Sequence, residues 1–257
     1  MNDTVKVTFL GTGTSQGVPV IACRCSVCVS LDFKNKRLRS SILVETGGKQ
    51  IVIDTGPDFR QQMLREKISR IDAVVYTHDH IDHISGLDDI RAFNFVLKKR
   101  MDIFCSHYVN DSIRRQFPYI FSEFKYPGIP EIDIHIIENK AFSIEDISIL
   151  PVEVQHLKLP VFGYRIGGFT YITDANYISE TEKEKIKGCD VIVLNALRRE
   201  PHPSHFTLQE AIDLMIELKP KRAYFTHISH QLGLHNDVER ELPSFIKLAY
   251  DGLRIEV

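Results

Sequence analysis

Residues 74–83 read VVYTHDHIDH, so three histidines and two aspartates fall within six positions directly after an apolar run. The apolar run is typical of a buried strand. A histidine buried for packing alone needs one hydrogen-bond partner, and a solvated loop more often carries lysine, serine or glycine. Alternating imidazole and carboxylate groups at a strand end instead indicate a metal site.

The same pattern recurs along the chain, because several predicted strands finish in a potential metal ligand. The residues at these strand ends are Asp54 after IVI, His78 after VVYT, His156 after VEVQ, Asp174 after TYIT and His227 after AYFT. In layered folds, rigid strands hold such residues at one edge of the sheets. We therefore expect these side chains to form one shared cluster.

A single ion cannot easily take every ligand of the histidine stretch, because alternate residues of an extended turn point to different sides. We predict two ions instead. The predicted ligands are His78, His80 and His156 for the first ion, Asp82, His83 and His227 for the second, and Asp174 as a bridge. Two ions about 3.5–4 Å apart would activate water and stabilise the attacking and leaving oxygens of an ester. Imidazole with carboxylate suits Zn, Mn or Fe, so the ligands alone do not name the metal.

The motif THDHIDH, with IDTG around Asp54 before it and His156, Asp174 and His227 after it, resembles the metallo-β-lactamase superfamily over nearly the whole chain. This resemblance implies a metal-dependent hydrolase with an α/β (α+β) fold, a four-layer αββα sandwich of two mixed β-sheets flanked by helices. It also implies that Asp54 orients the histidine stretch rather than binding metal. The many short strands with scattered helices favour the same architecture, and we expect residues 1–257 to form a single domain.

A second candidate metal site is the motif C-x-C-x-x-C at Cys23, Cys25 and Cys28. In a chain with five cysteines, an odd number, such a cluster favours a metal over disulfides. A closed zinc site needs four tetrahedral ligands, so three thiolates leave one position to fill. We assign that position to His230, which follows His227 in the motif THISH.

Proteins with both C-x-C-x-x-C and T-H-I-S-H resemble the carbon–phosphorus lyase accessory cyclic phosphodiesterases of the PhnP type. GTGTSQGVP from Gly11 and the final YDGLRIEV are similar to that group too. In this group a histidine before a helix is the expected general acid, here His205 ahead of the predicted capping box at Thr207. The resemblance implies a phosphodiesterase that opens small cyclic or nucleotide phosphodiesters, with two catalytic divalent ions and one structural zinc.

Two other functions stay open from the sequence. A tRNA 3′-processing endoribonuclease carries an RNA-clamping arm, usually between the ligands equivalent to His156 and Asp174, and only seventeen residues (157–173) lie there. A non-catalytic protein resembling pyrroloquinoline-quinone biosynthesis protein B shares C-x-C-x-x-C. An eroded ligand set would favour that reading, whereas the set in this sequence is complete.

Composition limits the partners that we expect. The net charge is −2, and acidic and basic residues are interleaved, so the sequence shows no basic stretch typical of a protein that binds a long nucleic acid. We therefore predict a small-molecule phosphodiester substrate. No apolar run approaches the ~18 residues of a membrane span, and no secretory leader pattern is present, which predicts a cytoplasmic protein without membrane contact. The aromatic-rich segment from Phe93 to Tyr126 is expected to be mainly core, with a pocket wall or a homodimer contact as alternatives.

Overall fold

The computed structural model describes residues 4–124 and 126–257. Over these residues the strands are β1 Lys6–Gly11, β2 Ser41–Thr46, β3 Lys49–Ile53, β4 Ala73–Val75, β5 Met101–Cys105, β6 Ile132–Ile136, β7 Phe142–Ile144, β8 Ile147–His156, β9 Leu159–Ile166, β10 Phe169–Tyr171, β11 Val191–Asn195, β12 Arg222–Thr226, β13 Ile246–Leu248 and β14 Arg254–Glu256.

The helices are short, and most lie on the outer faces of the sheets or between strands. The α-helices are α1 Ser26–Val29, α2 Phe59–Glu66, α3 Ile81–Ile84, α4 Arg91–Leu97, α5 His107–Gln116, α6 Glu180–Ile186, α7 Leu208–Leu218 and α8 His235–Glu239. Short 3-10 helices cover Phe33–Asn35, Leu87–Ile90 and Pro118–Phe121. None of the described helices has both the length and the apolar character needed to cross a membrane.

In the described part of the chain, the strands form two seven-stranded sheets, ordered β14-β1-β2-β3-β4-β5-β6 and β13-β12-β11-β10-β9-β8-β7. Both sheets are mixed: β3 to β6 and β10 to β13 run parallel, whereas the remaining pairs are antiparallel. One apolar core lies between the sheets, and two further cores lie under the helices. This arrangement confirms the predicted four-layer αββα sandwich.

Burial on both faces explains why several strands are apolar throughout rather than alternating. In β11, Val191 and Val193 belong to the core between the sheets, whereas Ile192 and Leu194 pack in the core that includes α7. The aromatic-rich segment from Phe93 to Tyr126 is only partly core. Phe93 is buried in the core beneath α2 and α5, whereas Tyr126 is exposed, and Lys125 lies outside the described residues.

The apolar periodicity of the sequence predicts helices over residues 58–67, 179–186 and 207–218, and α2, α6 and α7 agree with these predictions to within a residue or two. The capping box that begins α7 is confirmed, since Thr207 Oγ1 accepts from the Glu210 N–H and Glu210 Oε2 accepts from the Thr207 N–H. The same periodicity predicts one helix over residues 236–248, and this prediction was wrong. Helix α8 ends at Glu239, Pro243 follows, and β13 then pairs with β12 because its apolar side chains complete the sheet edge.

Strand ends carry the candidate site, and three of its residues turn sharply there. Asp54, Asp174 and His227 have φ angles of 66°, 57° and 54°, in the left-handed region that non-glycine residues seldom adopt. Such a backbone costs about 1 kcal/mol or more for each residue, and it is concentrated at functional sites. The surrounding structure therefore holds these side chains in place against a local preference.

Glycine allows the histidine stretch to approach the loop after β3. A Cβ atom at Gly86 would lie 2.2 Å from the Gly56 carbonyl oxygen and 2.7 Å from Phe59 Cβ. The Gly86 N–H also donates to the Thr55 carbonyl at 2.8 Å. The segment that carries the histidines is thus packed backbone to backbone on the loop that follows Asp54.

We predict that Gly86→Ala destabilises the fold by about 1–3 kcal/mol, because the added methyl group must displace backbone atoms. Chemical denaturation measures this change. Gly168→Ala is the matched control, since its nearest neighbour would lie at 3.5 Å, an ordinary contact distance. Equal stabilities of the two variants would contradict the close backbone contact between Gly86 and the loop after β3.

Candidate active site and metal centres

The structure brings together all of the residues that the sequence assigned to two catalytic ions. In each of two groups, one potential ligand atom from every residue lies within 4.8 Å of the others. The groups are His78, His80, His156 and Asp174, and Asp82, His83, Asp174 and His227. Asp174 belongs to both, which is the position predicted for a bridge.

Distances within the cluster suit metal coordination. Asp174 Oδ2 lies 3.6 Å from His78 Nε2 and 3.4 Å from His83 Nε2. His83 Nε2 also lies 3.2 Å from Asp82 Oδ2. Nitrogen and oxygen atoms bound at about 2.0–2.2 Å to one zinc ion are separated by roughly 3–3.5 Å, so this spacing fits shared ions.

Asp54 holds two of the histidines through hydrogen bonds. Its Oδ2 accepts from His83 Nδ1 at 2.8 Å and from the Thr77 hydroxyl at 2.8 Å. Because the Thr77 proton is used in this way, the Thr77 oxygen accepts from His78 Nδ1 at 3.0 Å. Both rings are therefore fixed with Nε2 free, as a ligand histidine requires. The fully buried Asp54 has the orienting geometry that the sequence resemblance implied.

His156 is fixed by a different partner. Its Nδ1 donates to the Ser204 carbonyl at 2.8 Å, which leaves Nε2 free. Burial lowers the pKa of His156 to about 4, so its ring is neutral at pH 7 and can offer a lone pair. His80 is exposed, whereas the other members of both groups are buried. The cluster therefore opens to solvent beside His80.

Three buried carboxylates give the cluster a strong negative potential. Burial acts to lower the pKa of His83, but Asp82, Asp174 and Asp54 outweigh burial and hold that pKa well above its usual value. Burial acts to raise the pKa of the Asp174 carboxyl. His227 and His83 outweigh burial and hold that pKa well below its usual value. A cluster of this charge is suited to cations.

Buried polar atoms without a hydrogen-bond partner also indicate that the cluster could hold metal ions. Buried side-chain atoms without a hydrogen-bond partner include His78 Nε2, Asp82 Oδ2, His83 Nε2 and His205 Nε2. Leaving a buried polar atom unpaired costs about 1–3 kcal/mol, and charged groups cost more. The orphaned ligand atoms converge on one place, so the donor set fits two divalent ions of the Zn, Mn or Fe type.

His205 lies between the two ligand groups. Its ring stacks on His227 with centroids 4.9 Å apart and meets the His156 ring edge to face at 4.6 Å. Its Nε2 is 3.4 Å from Asp174 Oδ2. Its Nδ1 lies 3.1 Å from His202 Nδ1. The structure thus places the predicted general acid with one ring nitrogen directed into the cluster.

The structure also brings the cysteine motif together with His230, the residue that the sequence assigned to it. His230 Nδ1 lies 3.3 Å from the sulfur of Cys23, 3.3 Å from that of Cys25 and 3.5 Å from that of Cys28. Tetrahedral zinc with Zn–S bonds near 2.3 Å and Zn–N bonds near 2.0–2.1 Å separates such ligands by about 3.5 Å. The four side chains therefore fit one structural zinc ion.

The thiols differ in their tendency to ionise. The Cys28 N–H bond, followed by His230, lowers the pKa of the Cys25 thiol to about 6. Burial raises the pKa of the Cys28 thiol to about 11. A zinc ion binds thiolates, so its binding would release the Cys28 proton.

The glycine-rich turn after β1 packs against the strand end that carries His227. The Ile228 N–H donates to the Thr12 carbonyl at 2.9 Å, and Ser40 Oγ donates to the Gly13 carbonyl at 3.0 Å. Ser40 Oγ also lies 3.2 Å from His227 Nδ1. The sequence did not reveal the roles of Ser40 and Ser204, because no motif marks a serine or a carbonyl that contacts a ligand histidine.

A family model described as a beta-lactamase superfamily domain matches residues 49–228, which include both histidine-containing groups. The chain belongs to the beta-lactamase superfamily. A crystal structure of a diphosphatase from the PhnP family is 41% identical and has a TM-score of 0.92, with 98% of each chain covered. The predicted superfamily, its PhnP-like character and the metallo-β-lactamase fold are confirmed.

Curated relatives of this superfamily member are longer proteins. An octanoyltransferase of Porphyromonas gingivalis is 39% identical over 252 residues, which are 97% of this chain and 51% of that protein. A ribonuclease Z of Nostoc punctiforme is 27% identical over 191 residues, 73% of this chain and 52% of that protein. The chain thus spans about half the length of these two relatives, and each name describes the longer protein.

Asp54→Asn should weaken metal binding at the histidine-containing groups by about 10–100-fold, because ring orientation is lost. The cysteine site should keep its zinc. Titration against a competing chelator, with elemental analysis, measures both. Asp79→Asn is the matched control in the same stretch, since Asp79 bonds to Ser112 rather than to a ligand histidine. Unchanged affinity in the Asp54 variant would refute its orienting role.

Cys25→Ala should release the structural zinc and lower the melting temperature by roughly 2–10 °C, since a structural metal contributes folding energy. Activity below the melting range should change less than stability does. Ser26→Ala, an exposed neighbour in α1, serves as the control. An unaltered melting temperature together with lost zinc would show that this site contributes nothing to folding.

Proposed function

We propose that the chain is a metal-dependent hydrolase, a phosphodiesterase that opens small cyclic or nucleotide phosphodiesters. The observation that carries this proposal is His205 Nε2, which is buried, unpaired and 3.4 Å from the shared Asp174 carboxylate. An imidazole there suits protonation of a departing oxygen. The similarity to a PhnP-family diphosphatase supports phosphorus as the reacting centre.

The seven residues of the two groups would hold the ions. When bound, two divalent ions would lower the pKa of a water and neutralise charge on the phosphoryl oxygens. The protein contributes fixed ring orientations through Asp54 and the Ser204 carbonyl. Because His80 is the exposed ligand, substrate would enter beside it.

His205 would donate its Nε2 proton to the leaving oxygen. Burial lowers the pKa of His205, whereas Asp174 acts to raise it. A bound phosphodiester adds a further negative charge, which favours the protonated ring. On the opposite side, Ser204 Oγ lies 3.0 Å from His205 Nδ1 and helps to fix the ring. A proton donor held in this way is required most when the leaving group is a basic alkoxide.

Diphosphates that carry an ester on each phosphorus belong to the same chemical class. Each phosphorus then has two bridging oxygens, as in a phosphodiester, and one bridge leads to a phosphate leaving group. One of the similar structures is a diphosphatase from the PhnP family, which supports including diphosphates among the candidate substrates. Because phosphate is a less basic leaving group than an alkoxide, these substrates would depend less on His205.

The alternative functions considered from the sequence are less well supported. An assay of RNA cleavage would test the ribonuclease alternative. The segment between His156 and Asp174 is taken up by β9 and β10, so the described residues contain no arm between these ligands. A non-catalytic role is disfavoured because the ligand set is complete. The octanoyltransferase name provides no chemistry for this site, since this chain matches only 51% of that relative. A homodimer and a cytoplasmic location stay predictions from the sequence.

We predict that His205→Ala loses roughly 10²–10⁴ in kcat on a diester with an alkoxide leaving group, while its metal content stays intact. On a p-nitrophenyl diester the loss should be much smaller, because p-nitrophenolate departs without a proton. An ester-substituted diphosphate should also show a small loss, because its phosphate leaving group is weakly basic. Steady-state kinetics on the three substrates measures this order.

His135→Ala is the control for that series, because His135 is half exposed and pairs with Asp102 away from the cluster. Asp174→Ala should damage all three substrates alike, since it removes a ligand of both groups. If His205→Ala lost the same factor on every substrate with full metal content, His205 would not be the proton donor.

A further inference from the structure

A cavity of about 340 Å³ adjoins the histidine cluster and shares His78 with it. It lies between the loop after β4, the beginning of α5 and the beginning of β9. Its walls include Tyr108, Val109, Pro160 and Phe162. Because His78 belongs both to this wall and to the first ligand group, the cavity lies directly beside the cluster.

The walls of the cavity do not suit a second phosphate. None of the described residues that line it is lysine or arginine. The contacts offered by Tyr108, Pro160 and Phe162 are broad and apolar. Sites for small molecules combine such walls with a few polar groups that set orientation. These walls therefore suit a part of the substrate that carries no phosphate and presents an apolar face.

One edge of the cavity carries a carboxylate. Glu153 of β8 pairs directly with Phe162 of β9, so the two side chains lie on the same face of the sheet. The Glu153 N–H donates to Glu182 Oε2 at 2.9 Å. The Glu153 carboxylate itself makes no hydrogen bond to a residue that the structure describes, and it is free to accept from N–H groups of a ligand.

We propose that this cavity is the base subsite of the enzyme, which holds a nucleobase while the phosphoryl group lies at the histidine cluster. The inference rests on the proposed function and assigns it to nucleotide substrates. Tyr108, which is 51% exposed at the cavity mouth, packs on the face of the base. Glu153 accepts hydrogen bonds from its amino or imino N–H groups.

An acyl chain would also meet the apolar walls, but it would leave the Glu153 carboxylate without a donor. Ser106 adds a hydroxyl group to the lining. A nucleobase has apolar faces and polar edges, so it matches both kinds of group. The lining therefore favours a base over an alkyl chain.

The test measures binding without turnover. Calorimetry on the metal-loaded protein compares guanosine 5′-monophosphate, ribose 5-phosphate and octyl phosphate. We expect the nucleotide to bind roughly 5–100-fold more tightly than ribose 5-phosphate, the range that stacking of one base on an aromatic side chain provides. Tyr108→Ala should remove most of this difference. Tyr126→Ala, an exposed tyrosine outside the cavity, should not.

Glu153→Gln tests the polar edge separately. It should reduce the affinity for guanosine 5′-monophosphate and leave that for ribose 5-phosphate unchanged. Equal affinities for nucleotide and ribose 5-phosphate, or tighter binding of octyl phosphate, would overturn the assignment.

Turnover separates this inference from the proposed function. If the protein hydrolyses nucleoside and base-free cyclic phosphates with the same KM, and Tyr108→Ala changes neither, the subsite is refuted while the phosphodiesterase proposal stands. If nucleotides bind through Tyr108 but no diester is hydrolysed, the subsite stands and the proposed activity is refuted.

Discussion

The hydrogen bonds of Asp54 are the constraint on which the candidate active site depends. One carboxylate fixes His83 directly and His78 through the Thr77 hydroxyl, so two rings from the histidine stretch present Nε2 on the same side. Asp54 can do this only because it leaves β3 with a left-handed backbone and is completely buried. Backbone strain and the burial of a carboxylate are thus concentrated at Asp54. The orientation of the two ligand histidines depends on this one residue.

Both sheets contribute to the cluster. The histidine stretch follows β4 of one sheet, whereas His156, Asp174 and His227 come from strand ends of the other. The apolar core between the sheets therefore determines how far apart the two sets of ligands lie. Close packing in such a core makes it stiff, so ligands carried by different sheets are still held within narrow limits.

Much of the site was predictable because metal ligands leave local signals. Alternating histidine and aspartate after an apolar strand identified His78, His80, Asp82 and His83, and the strand-end pattern identified their partners. The contacts of Ser40 and Ser204 had no such signal, since they depend on chain segments that meet only in the folded state. Helix α5, which follows its N-cap Ser106 and forms one wall of the cavity, was likewise not predicted. Its ten residues include five charged or amide side chains and few apolar ones, so packing rather than local pattern establishes it.

The position of Asp174 in both ligand groups has a thermodynamic consequence. A carboxylate that contacts two cations makes their binding equilibria dependent on each other, since the first ion both neutralises the site and fixes the shared side chain for the second. By linkage, the second ion must affect the first to the same extent. Uptake of two ions would therefore be coupled, and the protein with a single ion would be a distinct species with its own affinity, not half of the final state.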